Sequence, residues 1–241
     1  MRSAAVNRLS VIIPTLDEAA SIGATLAPLQ PLRAEGHEVI VVDGGSRDGT
    51  PERAAPLADR VLAAPRSRAG QMNAGADAAL GEVLLFLHAD TRLPSDAARL
   101  VANGLTASGR EWGRFDVRIE SRRWALEVVA RLMSLRSRLT GIATGDQAIF
   151  VRRAAFDAVG GYAPVALMED IDLSRRLKRR RPPLCLRACV VTSGRRWESR
   201  GIAQTILLMW WLRLQYFLGA SPERLARLYA RSRHERGPAP R

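Results

Sequence analysis

Apolar and polar positions fall in alternating blocks along this chain. SVIIPT (10–15), VIVVD (39–43), RVLAAP (60–65) and EVLLFLHAD (82–90) are short apolar runs. Runs of that length read as strands, and VIVVD, rich in β-branched residues, as one buried on both faces. Between them lie stretches with helical spacing: Asp17 through Leu32, Thr50 to Ala58, Arg68 to Leu80, and Pro94 to about Ala107. Thr50 is the expected cap of the second of these, with Glu52 in its first turn. Strands alternating with helices at this spacing predict βαβ units and a mainly parallel sheet.

The rhythm changes after Gly109. WGRFDVRIE (112–120) alternates and predicts a strand at the edge of a mixed sheet. Trp124 to Leu139 has helical spacing, and the loop TGIATGDQ (140–147) leads into a strand at AIFVRR (148–153). Gly141 and Gly145 suggest that this loop closes over a ligand. Asp157 to Gly161 marks a turn. Glu169 to Arg181 predicts a charged helix stopped by Pro182 and Pro183. CLRACVV (185–191) predicts a further strand, with Cys185 and Cys189 as buried, reduced thiols. Zinc would need four ligands, and no His or second Cys pair is near.

Residues 202–218, IAQTILLMWWLRLQYFL, are strongly apolar but interrupted by Gln204, Arg213 and Gln215. The pattern predicts an amphipathic helix in a membrane interface, anchored by aromatic and basic residues. Its alternatives are a membrane-spanning helix, a core-packing helix or a homodimer-forming one. The chain thus divides into a domain over 1–200 and a helical extension over 201–241, with residues 236–241 expected to be disordered. The N-terminal apolar run is too short for a signal peptide, so the expected location is cytoplasmic, at the inner face of the plasma membrane where the helix meets lipid.

Composition narrows this picture slightly. A chain of 241 residues can build one large α/β core. The net charge is +13, nearly all from arginine, since Lys178 is the only lysine. No nucleic-acid-binding motif accompanies the charge, so a nucleic-acid partner is not expected.

The candidate chemistry sits where predicted strands end. VIVVDGGSRDGT (39–50) runs from an apolar strand into Asp43, Gly44 and Gly45. In open α/β sheets ligands bind at strand carboxyl ends. Asp43 can accept from a base N–H or ribose hydroxyl, and Gly45 lets backbone approach a ligand. Asp48 shapes the turn. Pro14, Thr15 and Glu18 in PTLDEA, and Arg68 and Asn73 in SRAGQMNAG, could serve the same nucleotide. In FLHAD, Asp90 can hold a divalent cation such as Mg²⁺ or Mn²⁺, with His88 on the same strand face by period two. In MEDIDL, Asp170 opens a helix and can act as a general base, with Glu169 and Asp172 beside it. Arg195, Arg196 and Arg200, with Trp197, could clamp phosphates.

The order SVIIPTLDEA, VVDGGSRDGT, SRAGQMNAG, FLHAD, GDQAIFVRRAAFDAVGGY, MEDIDLSRRL resembles an inverting family-2 glycosyltransferase of the GT-A type, over roughly residues 9–200. The resemblance implies a Rossmann-like mixed sheet flanked by helices and a nucleoside-diphosphate sugar donor. It also implies a divalent cation. Thr15, Glu18 and Asp43 become nucleotide contacts, Asp90 the last acid of the metal motif, and Asp170 the catalytic base. Gly145, Asp146, Gln147 and Glu169 fall on the phosphate or acceptor side, with Arg195, Arg196 and Trp197. Departures from the family pattern are Gly44 in place of a second acid and His88 where the metal motif opens with Asp. The ending also resembles a bacterial subgroup whose names refer to arsenosugar biosynthesis. The acceptor, a hydroxyl or carboxyl on a small or lipid-like molecule, is not legible. The rival readings are a sugar-phosphate nucleotidyltransferase and a catalytically dead, membrane-associated scaffold.

Overall fold

The computed structural model describes residues 8–195, 197 and 201–234. Arg196, Arg200 and residues 236–241, each the subject of an expectation above, lie outside the described residues.

Strand β1 (Leu9–Thr15) leads through helices α1 (Ile22–Leu26) and α2 (Gln30–Ala34) to β2 (Glu38–Asp43). Helix α3 (Thr50–Ala54), β3 (Arg60–Ala63), α4 (Arg68–Ala78) and β4 (Val83–Phe86) follow. After the short β5 (Thr91–Arg92) come α5 (Ala97–Ser108), β6 (Trp112–Glu120) and α6 (Trp124–Thr140). Then β7 (Ile149–Arg152), α7 (Arg153–Ala158), α8 (Glu169–Arg180) and β8 (Leu184–Ser193) complete the sheet layer. Two C-terminal helices close the chain, α9 (Ile202–Phe217) and α10 (Pro222–His234).

The eight strands form one sheet in the order β3-β2-β1-β4-β7-β6-β8-β5. Only β7 and β5 run against the rest, so the sheet is mixed and mainly parallel. Burial on both faces explains the unbroken apolar runs of β1, β2 and β4, while β3, at the sheet edge, is partly exposed. Along β1, Val11 and Ile13 join the core under α1, α2, α5 and α6, while Ile12 joins the core under α4, α7 and α8. The same alternation repeats along β2 and β4.

Several sequence expectations are corrected. β6 is not an edge strand; it lies between β7 and β8. Its alternation marks a strand whose outer face is covered by α6, through Arg114. That guanidinium is fully buried, donates to Ser137 Oγ at 3.1 Å and the Ser134 carbonyl at 2.9 Å, and pairs with Asp116. The run 17–32 is split into two short helices around a 3₁₀ turn because Pro28 and Pro31 remove helix donors. Gly49, at φ 84°, caps α3, and Thr50 is its first helical residue. β4 ends at Phe86, so His88 and Asp90 lie in the turn beyond it and share no strand face. Cys185 is only partly buried and Cys189 is exposed, because β5 pairs only with Val191 and Thr192 and leaves this stretch of β8 at the sheet edge.

The C-terminal segment is amphipathic in a double sense. Leu212 of α9 and Leu225 of α10 pack on Ile142, Met168 and Ile171, beside the start of α8. Leu207, Trp210, Leu214 and Phe217 remain exposed on α9. No helix among the described residues is long and apolar enough to cross a membrane.

Candidate active site

The carboxyl ends of β1, β2 and β4 open on one side of the sheet, and two loops are laced together there. Asp17 N–H donates to Ser46 Oγ (2.8 Å), Arg47 N–H to Asp17 Oδ1 (2.9 Å), Glu18 N–H to Thr50 Oγ1 (2.9 Å) and Ala19 N–H to Asp48 Oδ2 (2.9 Å). The hydroxyl of Thr50 holds the Asp48 carboxyl below its usual range, helped by the Ala19 amide. Asp48 is therefore a latch, as its position in the turn suggested.

Asp43 is the knot of this lacing. It is 5% exposed. Its Oδ1 accepts from Thr15 Oγ1 (3.1 Å) and Ser46 Oγ (2.5 Å), and its Oδ2 from the amides of Gly45 (2.9 Å) and Ser46 (2.8 Å). The carboxylate thus orders the loop from inside. Gln71 was missed by sequence reasoning, which singled out its neighbours Arg68 and Asn73. Its buried amide donates to the carbonyls of Thr15 and Val42, both at 2.8 Å, tying α4 to the ends of β1 and β2. A Cβ at position 44 would meet that amide at 3.1 Å, so Gly44 leaves room for Gln71 where the family pattern has an acid.

These loops wall a cavity of about 760 Å³ lined by Pro14, Thr15, Glu18, Arg68, Gln71, His88 and Asp90, among others. Asn73 does not line it. Its side chain exchanges two hydrogen bonds of 2.9 Å with the backbone of Tyr162. Glu18 takes Ser21 Oγ at 2.5 Å and Arg195 Nη2 at 3.3 Å, so Arg195 meets a carboxylate here.

Past Arg68, His88 and Ala166 the space continues into a second cavity of about 320 Å³ that holds Glu169 and Asp170. Asp170 Oδ2 accepts the Gly145 N–H at 2.6 Å. His88 Nδ1 lies 3.2 Å from Asp146 Oδ1, and a Cβ on Gly145 would sit 2.2 Å from His88 Nε2. Only glycine allows the imidazole this close. The loop expected to act as a lid is instead buried and pinned: the Ala143 N–H donates to Ser174 Oγ (3.1 Å), and Gln147 is fully buried with its Oε1 accepting from Thr144 N–H (3.3 Å). The non-glycine residues with positive φ among those described are Asp17, Ala148 and Met168. All three border the loops of this site, a placement typical of strain held for function.

The three adjacent acids of MEDIDL separate by surroundings. Asp172 is 2.7 Å from Arg176. Glu169 is buried, and burial together with the neighbouring Asp170 pushes its pKa up to about 8. The half-exposed Arg68 guanidinium, 3.9 Å away, is too distant and too hydrated to offset that burial. Asp170 alone is partly open to the cavity. One prediction follows from Glu169. It ionises near pH 4.5 unfolded but near 8 in the fold, so across that window the folded state binds the extra proton and stability falls as pH rises. Glu169→Gln is expected to gain stability over the parent progressively from pH 4.5 to 8, levelling above. Thermal melts showing a pH-independent offset would contradict this.

A metal would have little protein to hold it. Among the described residues no group of three or more His, Cys, Asp or Glu is placed around a common point. Both nitrogens of His88 face the 145–146 turn. The Asp90 carboxylate takes one side-chain hydrogen bond, from Thr91 Oγ1 at 3.5 Å, and lines the large cavity. A cation fits here only as one shared between Asp90 and a phosphate ligand, as hard cations commonly are.

Trp197 does not wall the phosphate side. It packs against the core and lines a third cavity of about 410 Å³, mostly apolar, between α6 and α9. That cavity touches the first at Asp90 and the second at Asp146, Met209 and Arg213. Arg136 and Arg213 line it. Arg213 showed in the sequence only as an interruption of the apolar 202–218 run, and Arg136 gave no signal, since arginines on helices usually face water.

Residues 10–160 match the family model described as glycosyl transferase family 2. The PGL/p-HBAD biosynthesis glycosyltransferase of Mycobacterium tuberculosis is 32% identical over 211 residues, covering 82% of this chain and 80% of that protein. The protein of the same name in Mycobacterium bovis matches equally. These names lend no support to an arsenosugar role. Among solved structures, S. aureus TarS in complex with UDP-GlcNAc superposes with a TM-score of 0.64 at 18% identity, over 77% of this chain and 58% of that one. The mannosyltransferase PcManGT from Pyrobaculum calidifontis, in complex with GDP-Man and Mn²⁺, gives 0.58 at 20% identity, over 79% and 57%. Likeness at that level carries the fold, which is the Rossmann-like GT-A arrangement expected.

Proposed function

Because this chain belongs to glycosyl transferase family 2 and is a glycosyltransferase, we propose that it moves a sugar from a nucleoside diphosphate to an acceptor hydroxyl with inversion. The observation that carries this reading is the pair of joined cavities. One is large and polar at the strand ends, with Asp90 in its wall; the other holds Asp170. The base and ribose lie against the 14–18 and 66–71 segments, which Asp43 and Gln71 hold in place. Arg68, lining both cavities, faces the diphosphate side. Asp170, oriented by the Gly145 N–H, takes the acceptor proton as the hydroxyl attacks the anomeric carbon. The bond to the diphosphate breaks on the opposite face, and one displacement inverts the centre. Asp90, in the wall of the large cavity, would hold a divalent cation together with the diphosphate, and such an ion would supply Lewis-acid neutralisation of the leaving group. UDP-GlcNAc and GDP-Man, bound by structural neighbours, are the donor classes to try first.

Peripheral membrane contact is part of this proposal. Beside the exposed face of α9, helix α6 carries Trp124, Val128, Leu132, Leu135 and Leu139 outward at helical spacing. Two such stripes flanking one cavity suit an interface that presents a lipid-like acceptor.

The test is Asp90→Ala. Transfer activity is expected to fall on the order of 10²-fold or more, with loss of the cation-dependent part of nucleotide affinity. Isothermal titration with and without Mn²⁺ reads the second effect. Full activity in excess chelator would remove the cation from the reaction.

A further inference from the structure

The third cavity contains an arrangement that folding alone does not explain. Its walls are Leu132, Met133, Ile206, Met209 and Trp210. Into this apolar space project two cations, Arg136 from α6 and Arg213 from α9. Among the described residues, Arg136 Nε and Nη2 and Arg213 Nε are buried without a hydrogen-bond partner. Burial pulls the Arg136 pKa down to about 10, with Arg213 and Arg114 adding like-charge repulsion. Burial lowers Arg213 as well. Buried, unpaired guanidinium N–H groups oppose folding. They are accounted for if a ligand supplies the missing acceptors. Asp90 and Asp146 also line this cavity. The charges of Asp146 and Asp170 offset part of the lowering at Arg213, as that of Asp170 does at Arg136, but no hydrogen bond reaches the three buried nitrogens. Asp146 Oδ1 stands 3.2 Å from His88 Nδ1.

We propose that the acceptor is an anionic amphiphile: an apolar chain or ring held between α6 and α9, with a carboxylate-like group on Arg136 and Arg213. A planar guanidinium pairs with carboxylates through parallel hydrogen bonds, and two of them in an apolar wall select charge strongly. The donor diphosphate is a poorer match, since Arg136 lines neither the donor cavity nor the Asp170 cavity. Arg213 borders both the apolar space and the Asp170 cavity. A molecule anchored there therefore presents its hydroxyl toward the base. This inference rests on the glycosyl-transfer reading above and specifies its acceptor.

The probes are 12-hydroxydodecanoate and 1,12-dodecanediol, which share a hydroxyl and chain length and differ in charge. Tryptophan quenching reads binding through Trp210 and Trp197. The hydroxy acid is expected to bind about 10- to 100-fold more tightly than the diol, the scale of charge-assisted hydrogen bonds. Arg136→Met and Arg213→Met should each shrink that preference, and Arg136→Lys should restore part of it. Thermal melts check folding: Arg136→Met should melt no lower than the parent, because no hydrogen bond from Nε or Nη2 is lost. Equal binding of acid and diol, a preference that survives both variants, or competition by nucleoside diphosphate would overturn the proposal. UDP and GDP titrations run in parallel separate the two readings. Nucleotide binding without acid preference sinks this inference alone. Acid preference without any nucleotide binding leaves a carboxylate pocket but overturns its role as an acceptor site.

Discussion

Replacing Asp170 with asparagine is expected to lower the rate of sugar transfer by about 10²- to 10⁴-fold, the range a positioned general base contributes. Nucleotide affinity should persist. The substituted amide keeps an oxygen for the Gly145 N–H that now bonds Asp170 Oδ2 at 2.6 Å, so the loop keeps its anchor while the basic group disappears. The donor cavity is untouched, because Asp170 lines its neighbour. Slow hydrolysis of the donor by water, which needs the same proton removal, should fall in parallel. The decisive measurement is turnover alongside nucleoside diphosphate binding. Lost binding with unchanged turnover per bound donor would mean that Asp170 shapes the site without acting as base. Glu169 cannot readily substitute, since its burial keeps it protonated near neutral pH.

Asp43→Ala is the second large effect, and here stability and binding move together. Four donors lose their acceptor at once: the hydroxyls of Thr15 and Ser46, and the amides of Gly45 and Ser46. Water can reach part of the loop, so the cost is about 2–3 kcal/mol rather than the full sum. For a chain of this size that lowers the melting temperature by about 4–12 °C. The released loop also carries Asp17, Glu18 and Ala19 through its bonds to Ser46, Asp48 and Thr50. Nucleotide affinity should therefore drop about tenfold or more. Asp43→Asn should fall between, because its single oxygen cannot serve both amide donors and both hydroxyls. A variant that melts like the parent and still loses nucleotide would return Asp43 to direct contact with the ligand. One that keeps both properties would remove it from the site altogether.

The apolar runs and their spacing determined, unaided, that four parallel strands carry motifs at their carboxyl ends. Burial on both faces and alternation with helices are local, periodic demands, and a sequence displays them directly. Pro14, Thr15, Asp90 and Asp170 could be selected for the same reason: a strand end or helix start puts a side chain at a sheet's ligand edge whatever surrounds it. What tertiary structure alone decided is which polar atoms remain available. Asp43 and Asn73 were read as ligand contacts, yet their oxygens are spent on Thr15, Gly45, Ser46 and Tyr162. His88 was placed with Asp90 and lines the same large cavity, but its Nδ1 is engaged by Asp146 and its Nε2 lies against Gly145. Arg136 drew no attention in the sequence and Arg213 stood out only as an interruption of the 202–218 run, until the packing of α9 beside α6 buried guanidinium nitrogens of both without hydrogen-bond partners. Hydrogen-bond saturation and desolvation depend on groups far apart in the chain, so no window of sequence contains them.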